Sequence, residues 1–314
     1  MHKPDLLMIA PAPPAMAQAL DEDFTVHRYF EAEDKAALLS ALADRVRYVA
    51  TGGSHGCSAE IIAALPKLEL VASLGVGYDA VDVTAARAAG VRVTNTPDVL
   101  NDCVAEMTLA LMLALCHRVP QADRYVREGR WASEGHFPLT DELTGRRAGI
   151  LGLGRIGKEI ARRLQAFRME VVYHGRNRQE HEPYPYYADL ETMARAVDWL
   201  VVVAPGSAET QGIVSRAVME ALGEKGRLVN VARGSLVDEE AMIELLAAGR
   251  LGGAALDVFA REPDVPEALR ALDTVVLTPH HGSATHKTRA AMAALVVANL
   301  RAHLRGDPLK SPVA

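Results

Sequence analysis

The chain has 314 residues, 49% of them hydrophobic and 24% charged, with a formal net charge of −6. That length exceeds one ordinary core and predicts two domains, and the composition excludes a disordered chain. The acidic balance argues against a nucleic-acid or anionic-membrane partner; a small anionic ligand needs only local positive charge.

The N-terminal apolar run Leu6 to Ala10 ends at Pro11, too short for a secretory signal core. Short β-like runs then recur at Thr25 to Tyr29, Val46 to Ala50, Leu70 to Ser73 and Val91 to Thr94, alternating with helix-like stretches such as Ala32 to Ala43 and Ala59 to Leu65. This alternation predicts a parallel sheet with helical crossovers. After Asn95-Thr96-Pro97 the pattern turns to longer helices, about Asn101 to Cys116 and Pro120 to Glu128, and a domain crossing is placed there. The apolar part of the first, Val104 to Cys116, falls short of the roughly 20 residues a membrane helix needs and reads as buried. A second alternating series runs through Arg147 to Leu151, Glu170 to Tyr173, Trp199 to Val203, Gly226 to Val231, Gly252 to Leu256 and Val275 to Leu277. The last helix, about Thr285 to His303, carries Ala291, Leu295, Val296 and Leu300 at near-helical spacing and can return to the first domain.

The expected fold is therefore α/β, with two doubly wound parallel-sheet, Rossmann-like domains and a cleft between them as the ligand site. A discontinuous substrate domain, residues 1–96 plus 285–314, receives a dinucleotide-binding domain, residues 97–284, as an insertion. Cys57, Cys103 and Cys116 have no metal-ligand spacing, so no metal is expected, and their odd count suits a reducing cytoplasm.

Gly152-Leu153-Gly154-Arg155-Ile156-Gly157 follows the apolar strand Ala148 to Leu151 and opens an amphipathic helix. The first glycine permits a tight turn, the second lets backbone approach a pyrophosphate, and the third lets the helix pack closely on the strand. Strand before and helix after make the motif a strong cofactor signal. An NAD site would place an acid about 20 residues on, yet Val171 to Gln179 contains none. Arg176 and Arg178 flank Asn177 instead, and two guanidiniums suit a 2′-phosphate. NADPH (NADP) is the expected cofactor, with NADH at lower affinity. The other reading is that these arginines sit on a solvated loop.

Downstream, Leu228 to Ser235, Ala255 to Phe259 and Thr278 to Ser283 end successive strands and bring Arg233, Glu262 and His280 into play. A guanidinium fork can hold a carboxylate and polarise a carbonyl, and an imidazolium can deliver a proton to the oxygen that becomes a hydroxyl. Those are the needs of a 2-oxo acid undergoing reduction.

Together these residues resemble the D-2-hydroxyacid dehydrogenase family, and within it the glyoxylate/hydroxypyruvate reductases. The likeness covers nearly the whole chain: Leu74-Gly75-Val76-Gly77-Tyr78-Asp79, Thr94 to Pro97, Gly152 to Gly157, Asn230 to Gly234, Ala255 to Phe259, Glu262-Pro263, and Pro279-His280 with Gly282-Ser283. The resemblance implies that Arg233 binds the substrate carboxylate and carbonyl, that His280 donates the proton and that Glu262 pairs with its imidazole. It also implies that Asp257 meets the nicotinamide carboxamide, that Val231 lies with the cofactor residues, and that backbone N–H groups at Val76 and Gly77, beside Gly75, meet the substrate carboxylate. A homodimer through the nucleotide domain's long helices is implied as well. His281 stands where many relatives have an apolar residue, but the Pro-His-x-Gly-Ser setting selects His280.

The leading expectation is an NADPH-dependent reductase of small 2-oxo acids such as glyoxylate and hydroxypyruvate. Reduction of aromatic 2-oxo acids such as phenylpyruvate or hydroxyphenylpyruvate is the nearest alternative. A nucleotide-sensing corepressor on the same fold is a more distant one. His55, Trp131 and the loop Glu182 to Tyr187 have no assigned role.

Overall fold

The computed structural model describes residues 3–313, which fall into two compact units. One runs to Leu100 and resumes at Ser283; the other spans Asn101–Gly282.

In the first unit, β1 (Asp5–Met8), α1 (Pro14–Asp23), β2 (Thr25–Arg28), α2 (Lys35–Leu42), β3 (Val46–Gly52), α3 (Ala59–Ala64), β4 (Leu70–Leu74), α4 (Val83–Ala88) and β5 (Arg92–Thr94) follow one another. The strands form one sheet in the order β2-β1-β3-β4-β5, with every named neighbour parallel. Their near-continuous apolar runs are explained by burial of both faces. On one face Leu7, Val49, Val71 and Val93 pack with Ile62 and Leu65. On the other, Leu6, Tyr48, Leu70 and Ala72 meet Met16 and Leu20 of α1 and Ala293, Val296 and Leu300 of the final helix. Side-chain caps set the helix starts: Asp34 accepts from the Ala37 N–H, Ser58 from Ile61 and Asp82 from Ala85. Each such cap contributes about 1 kcal/mol. The Asp34 cap is why the helix expected from Ala32 begins at Lys35, after a 3-10 turn at Tyr29–Glu31.

The second unit contains α5 (Asn101–Cys116), α6 (Val119–Arg127), α7 (Arg130–Glu134), β6 (Arg147–Leu151), α8 (Arg155–Ala166), β7 (Glu170–His174), β8 (Tyr186–Tyr187), α9 (Leu190–Arg195), β9 (Trp199–Val202), α10 (Arg216–Leu222), β10 (Arg227–Asn230), α11 (Glu239–Ala247), β11 (Gly253–Leu256), α12 (Glu267–Arg270) and β12 (Val275–Leu277). Its seven-stranded parallel sheet has the order β12-β11-β10-β9-β6-β7-β8. The order reverses between β6 and β9, and in such sheets ligands bind beyond the carboxyl ends of the strands at that point. Ile150, Tyr173, Trp199 and Val201 pack on one face against Met112 of α5 and Ile160 and Leu164 of α8. Leu200, Val202 and Leu228 cover the other face with Met219 of α10 and Leu245 of α11. Helix α7 and the two-residue edge strand β8 have too short a periodic signal to be read from sequence.

The chain returns to the first unit as α13 (His286–Arg305), capped by Thr285, which accepts from the Thr288 N–H. Its following residues reach the free edge of β5, where the Val313 N–H donates to the Val93 carbonyl at 2.8 Å. Among the described residues no single helix is long and apolar enough to cross a membrane. Nor do any three His, Cys, Asp or Glu side chains among them cluster as metal ligands.

Candidate active site

The glycine motif links β6 to α8, and its three glycines differ in what constrains them. Gly152 adopts φ +101°, and a Cβ there would lie 2.7 Å from the Ala204 backbone. A Cβ on Gly157 would lie 2.3 Å from the Gly152 carbonyl oxygen, so that glycine allows helix and strand to approach. At Gly154 a Cβ would meet nothing within 4 Å. The N-cap Gly154 of α8 makes no side-chain cap bond, and the positive end of the helix dipole lies at this turn. Leu153 is buried under the loop, while Arg155 and Ile156 begin the helix. These residues fit the pyrophosphate of a dinucleotide: the tight positions serve the fold, and the open one serves a ligand.

Beyond β7, Arg176, Asn177 and Arg178 are exposed, and neither arginine has an ion-pair partner among the described residues. No carboxylate ends the strand; its last residue is His174. A residue missed in the sequence ties this loop to the glycine turn. Gln179 donates through Nε2 to the Leu153 carbonyl at 2.7 Å and through its backbone N–H to the Tyr173 hydroxyl at 2.7 Å. The Tyr186 hydroxyl donates to the Gly175 carbonyl, so the Tyr-rich stretch packs against the strand that carries the arginines.

The loops after β10, β11 and β12 bring Arg233, Glu262 and His280 together. The buried Asn230 side chain shapes the first of them, donating to the Arg233 carbonyl and accepting from the Ala232 N–H. Val231, half-buried, extends the β10 ladder by donating to the Val202 carbonyl. Gly234 has no room for a side chain, since a Cβ would sit 2.0 Å from the Phe259 carbonyl. That close approach brings the Arg233 turn onto the β11 loop. There Glu262 accepts from the Phe259 N–H through Oε1 and contacts His280 Nδ1 through Oε2 at 2.6 Å. Burial works to raise the Glu262 carboxyl, but the hydrogen bonds from His280 and Phe259 and the charges of His280 and Arg233 outweigh it and hold it below the usual range.

His280 has a left-handed backbone, φ 49°, which costs a residue with a Cβ about 1–2 kcal/mol. Its N–H donates to the Asp257 carbonyl at 2.8 Å. The carboxylate of Asp257, 2% exposed, clamps the rest of the loop. Oδ1 accepts from the Thr278 hydroxyl at 2.7 Å and the His281 N–H at 2.9 Å, and Oδ2 accepts from the Gly282 N–H at 2.8 Å. Where the resemblance implies a contact to nicotinamide, the structure shows both oxygens engaged in holding the segment that carries His280. His281 directs its Nδ1 toward Asp257 at 3.7 Å and not toward Glu262.

In the first unit, the loops after β3 and β4 meet through glycines. A Cβ on Gly53 would lie 3.0 Å from the Gly77 carbonyl, and Gly75 has φ +156°. Val76 and Gly77 are half-buried, and among the described residues nothing accepts from their N–H groups. His55 is exposed on the same loop cluster, with Nδ1 3.3 Å from the Ser54 hydroxyl.

The arrangement offers a dinucleotide cradle and, in the same unit, an imidazole with an anionic partner near a guanidinium. Comparison with known proteins agrees. The family described as D-isomer specific 2-hydroxyacid dehydrogenase, NAD binding domain, matches residues 109–282. A hydroxyphenylpyruvate reductase of Plectranthus scutellarioides is 46% identical over 98% of both chains. A glyoxylate/hydroxypyruvate reductase A of Arabidopsis thaliana is 45% identical over 100% of each. An NADPH-dependent glyoxylate/hydroxypyruvate reductase of Sinorhizobium meliloti, solved in complex with NADP and malonate, superposes with a TM-score of 0.94 at 45% identity, covering 99% of this chain and 97% of that one. The chain belongs to the D-isomer specific 2-hydroxyacid dehydrogenase family and is an oxidoreductase.

Proposed function

We propose that the protein is an NADPH-dependent reductase of small 2-oxo acids, glyoxylate and hydroxypyruvate among them. The observation that carries this reading is the 2.6 Å contact between His280 Nδ1 and Glu262 Oε2 in the neighbourhood of Arg233. A carboxylate on Nδ1 fixes the orientation of the ring and leaves Nε2 to face a reacting oxygen. Arg233 takes the substrate carboxylate and polarises its carbonyl. NADPH, when bound, supplies the hydride. As the carbonyl oxygen gains charge, the Nε2 proton of His280 transfers to it, and Glu262 stabilises the imidazolium until then. Steady-state assays with glyoxylate, hydroxypyruvate, pyruvate and phenylpyruvate test the reading: fast turnover of the two small polar acids supports it, and turnover of none overturns it.

A second reading is supported by the Plectranthus relative, a hydroxyphenylpyruvate reductase. Under it the chemistry is unchanged and aromatic 2-oxo acids are preferred. A higher kcat/KM for phenylpyruvate than for glyoxylate in the same assay would select it.

The preference for NADPH is supported by the exposed, carboxylate-free guanidiniums of Arg176 and Arg178 around Asn177, placed where a 2′-phosphate is read in this fold. Each charge-assisted hydrogen bond contributes ~1.5–3 kcal/mol, so the double variant Arg176→Ala/Arg178→Ala should raise KM for NADPH about a hundredfold. KM for NADH should stay within about twofold. Equal changes for the two nucleotides would defeat the assignment.

A homodimer through the second unit is supported by Val119 and Val126 of α6, Trp131 of α7 and Leu139 beyond it, all exposed. Large apolar side chains gathered in this way mark association surfaces. Val126→Asp with Trp131→Glu should convert a dimer to a monomer in light scattering after gel filtration; an unchanged dimer would place the interface elsewhere. The three cysteines are free and buried, and that state, with NADPH chemistry, supports a cytoplasmic location.

A further inference from the structure

We propose that Asn95 is a positioning residue for substrate binding: its side-chain amide, together with the Thr96 backbone N–H, aims the two backbone N–H groups that receive the substrate carboxylate. The inference rests on the reductase function proposed above and concerns residues of the first unit alone.

Val76 and Gly77 stand between residues that give a backbone little direction. Glycines at 75 and 77 have no side chain to pack, and their peptide planes are free to turn. Orientation must come from hydrogen bonds to the planes themselves. Both peptide bonds are trans, so each carbonyl points opposite to the N–H that follows it. The Thr96 N–H donates to the Gly75 carbonyl at 2.8 Å, which turns the Val76 N–H to the other side. Asn95 Nδ2 donates to the Val76 carbonyl at 2.8 Å, which turns the Gly77 N–H the same way. A return bond from the Gly75 N–H to the Thr96 hydroxyl at 3.0 Å closes the bracket. Two successive N–H groups on one side of a loop form an anion-binding concavity. What the amide adds is direction.

Asn95 is itself held from behind by a buried polar chain. The Ser311 hydroxyl donates to the Asn95 carbonyl at 2.7 Å and accepts from Asn299 Nδ2 at 2.9 Å. Asn299, fully buried in α13, uses its Oδ1 to accept from the Lys310 and Ser311 N–H groups. Every bond in this chain fixes the next, and bonds in series strengthen one another in a low-dielectric interior. The final helix and the residues after it thereby support the substrate loop.

The test uses the full-length protein with NADPH and two substrates, glyoxylate and phenylpyruvate, that share the 2-oxo carboxylate and little else. Asn95→Ala should raise KM for both by a similar factor of about ten, with kcat and KM for NADPH within about twofold. Asn95→Ser, a neutral polar replacement too short to reach the Val76 carbonyl, should do the same and serves if the alanine variant fails to fold. Ser311→Ala should raise KM for both acids by a smaller factor. Unchanged KM values in the Asn95 variants, an effect on one substrate alone, or a fall in kcat at constant KM would overturn the proposal. A wild-type protein that reduces neither acid would instead overturn the reductase reading on which it rests.

Discussion

Replacing His280 by Ala should lower kcat with glyoxylate and NADPH by about three orders of magnitude, while NADPH affinity, read by fluorescence quenching, stays within about twofold. The imidazole is the group with Nδ1 fixed on a carboxylate and the opposite ring nitrogen available for proton donation. His281→Ala serves as the control, because its Nδ1 lies 3.7 Å from Asp257 and it makes no contact with Glu262. If the His281 variant were the inactive one, the proton donor would be misassigned. Glu262→Gln should act differently and reveal itself in the pH profile. The Glu262 carboxyl is held below its usual range by His280, Phe259 and Arg233 against the opposing effect of burial. It therefore remains anionic as pH falls, and its anionic contact with the His280 ring is lost only at a pH below the ordinary glutamate range. Under the proposed mechanism, activity of the wild type therefore holds to a pH below the ordinary glutamate range and falls beneath it. With the carboxyl replaced, Glu262→Gln should lack that acid limb of kcat/KM and show a lower plateau. An acid limb that persists unchanged in Glu262→Gln would show that another group sets it.

The pattern of strands was readable because both sheets bury both faces, which leaves short runs such as Leu70 to Ser73 and Trp199 to Val203 almost wholly apolar. The glycine turn was readable for a different reason: each glycine answers to a steric demand that the neighbouring sequence, strand then helix, already implies. Residues that act through distant partners left no such trace. Ser311 bonds to the Asn95 carbonyl across 216 residues, and neither stands in a periodic pattern that singles it out. Asn299 stands beside Val296, Val297 and Leu300 on the buried part of α13, a polar residue whose partner only the fold can name. Gln179 lies in a loop marked in the sequence by the charges of Arg176 and Arg178, yet its uncharged amide joins that loop to the Leu153 carbonyl. The unit division at Leu100 and Ser283 follows from where α5 begins and from the loop that Asp257 clamps, which ends at Gly282.

That clamp leads to the second large effect. Asp257→Asn should reduce kcat about a hundredfold and lower Tm by several degrees, with KM for NADPH little changed. The carboxylate accepts three hydrogen bonds, from Thr278, His281 and Gly282, with almost no exposure to solvent. An amide nitrogen in place of either oxygen presents a donor to a donor, leaving at least one buried N–H or hydroxyl without an acceptor, at a cost of about 1–3 kcal/mol. In a unit of this size each kcal/mol lowers Tm by roughly 2–4 °C. The loop has little slack with which to recover. A Cβ on Gly282 would already lie 2.9 Å from Asp257 Oδ2, and His280 is held at positive φ by the bond from its N–H to the Asp257 carbonyl. Loosening this segment moves the imidazole relative to Glu262 and the reacting oxygen, and a misplacement of about 1 Å can cost ~10²-fold in rate. The competing expectation, that Asp257 chiefly meets the nicotinamide carboxamide, predicts the reverse pattern: a raised KM for NADPH, an unshifted Tm and a kcat that recovers at saturating nucleotide. Differential scanning fluorimetry beside a two-substrate kinetic matrix separates them, because only a loop clamp couples the loss of rate to a loss of stability in the protein without nucleotide.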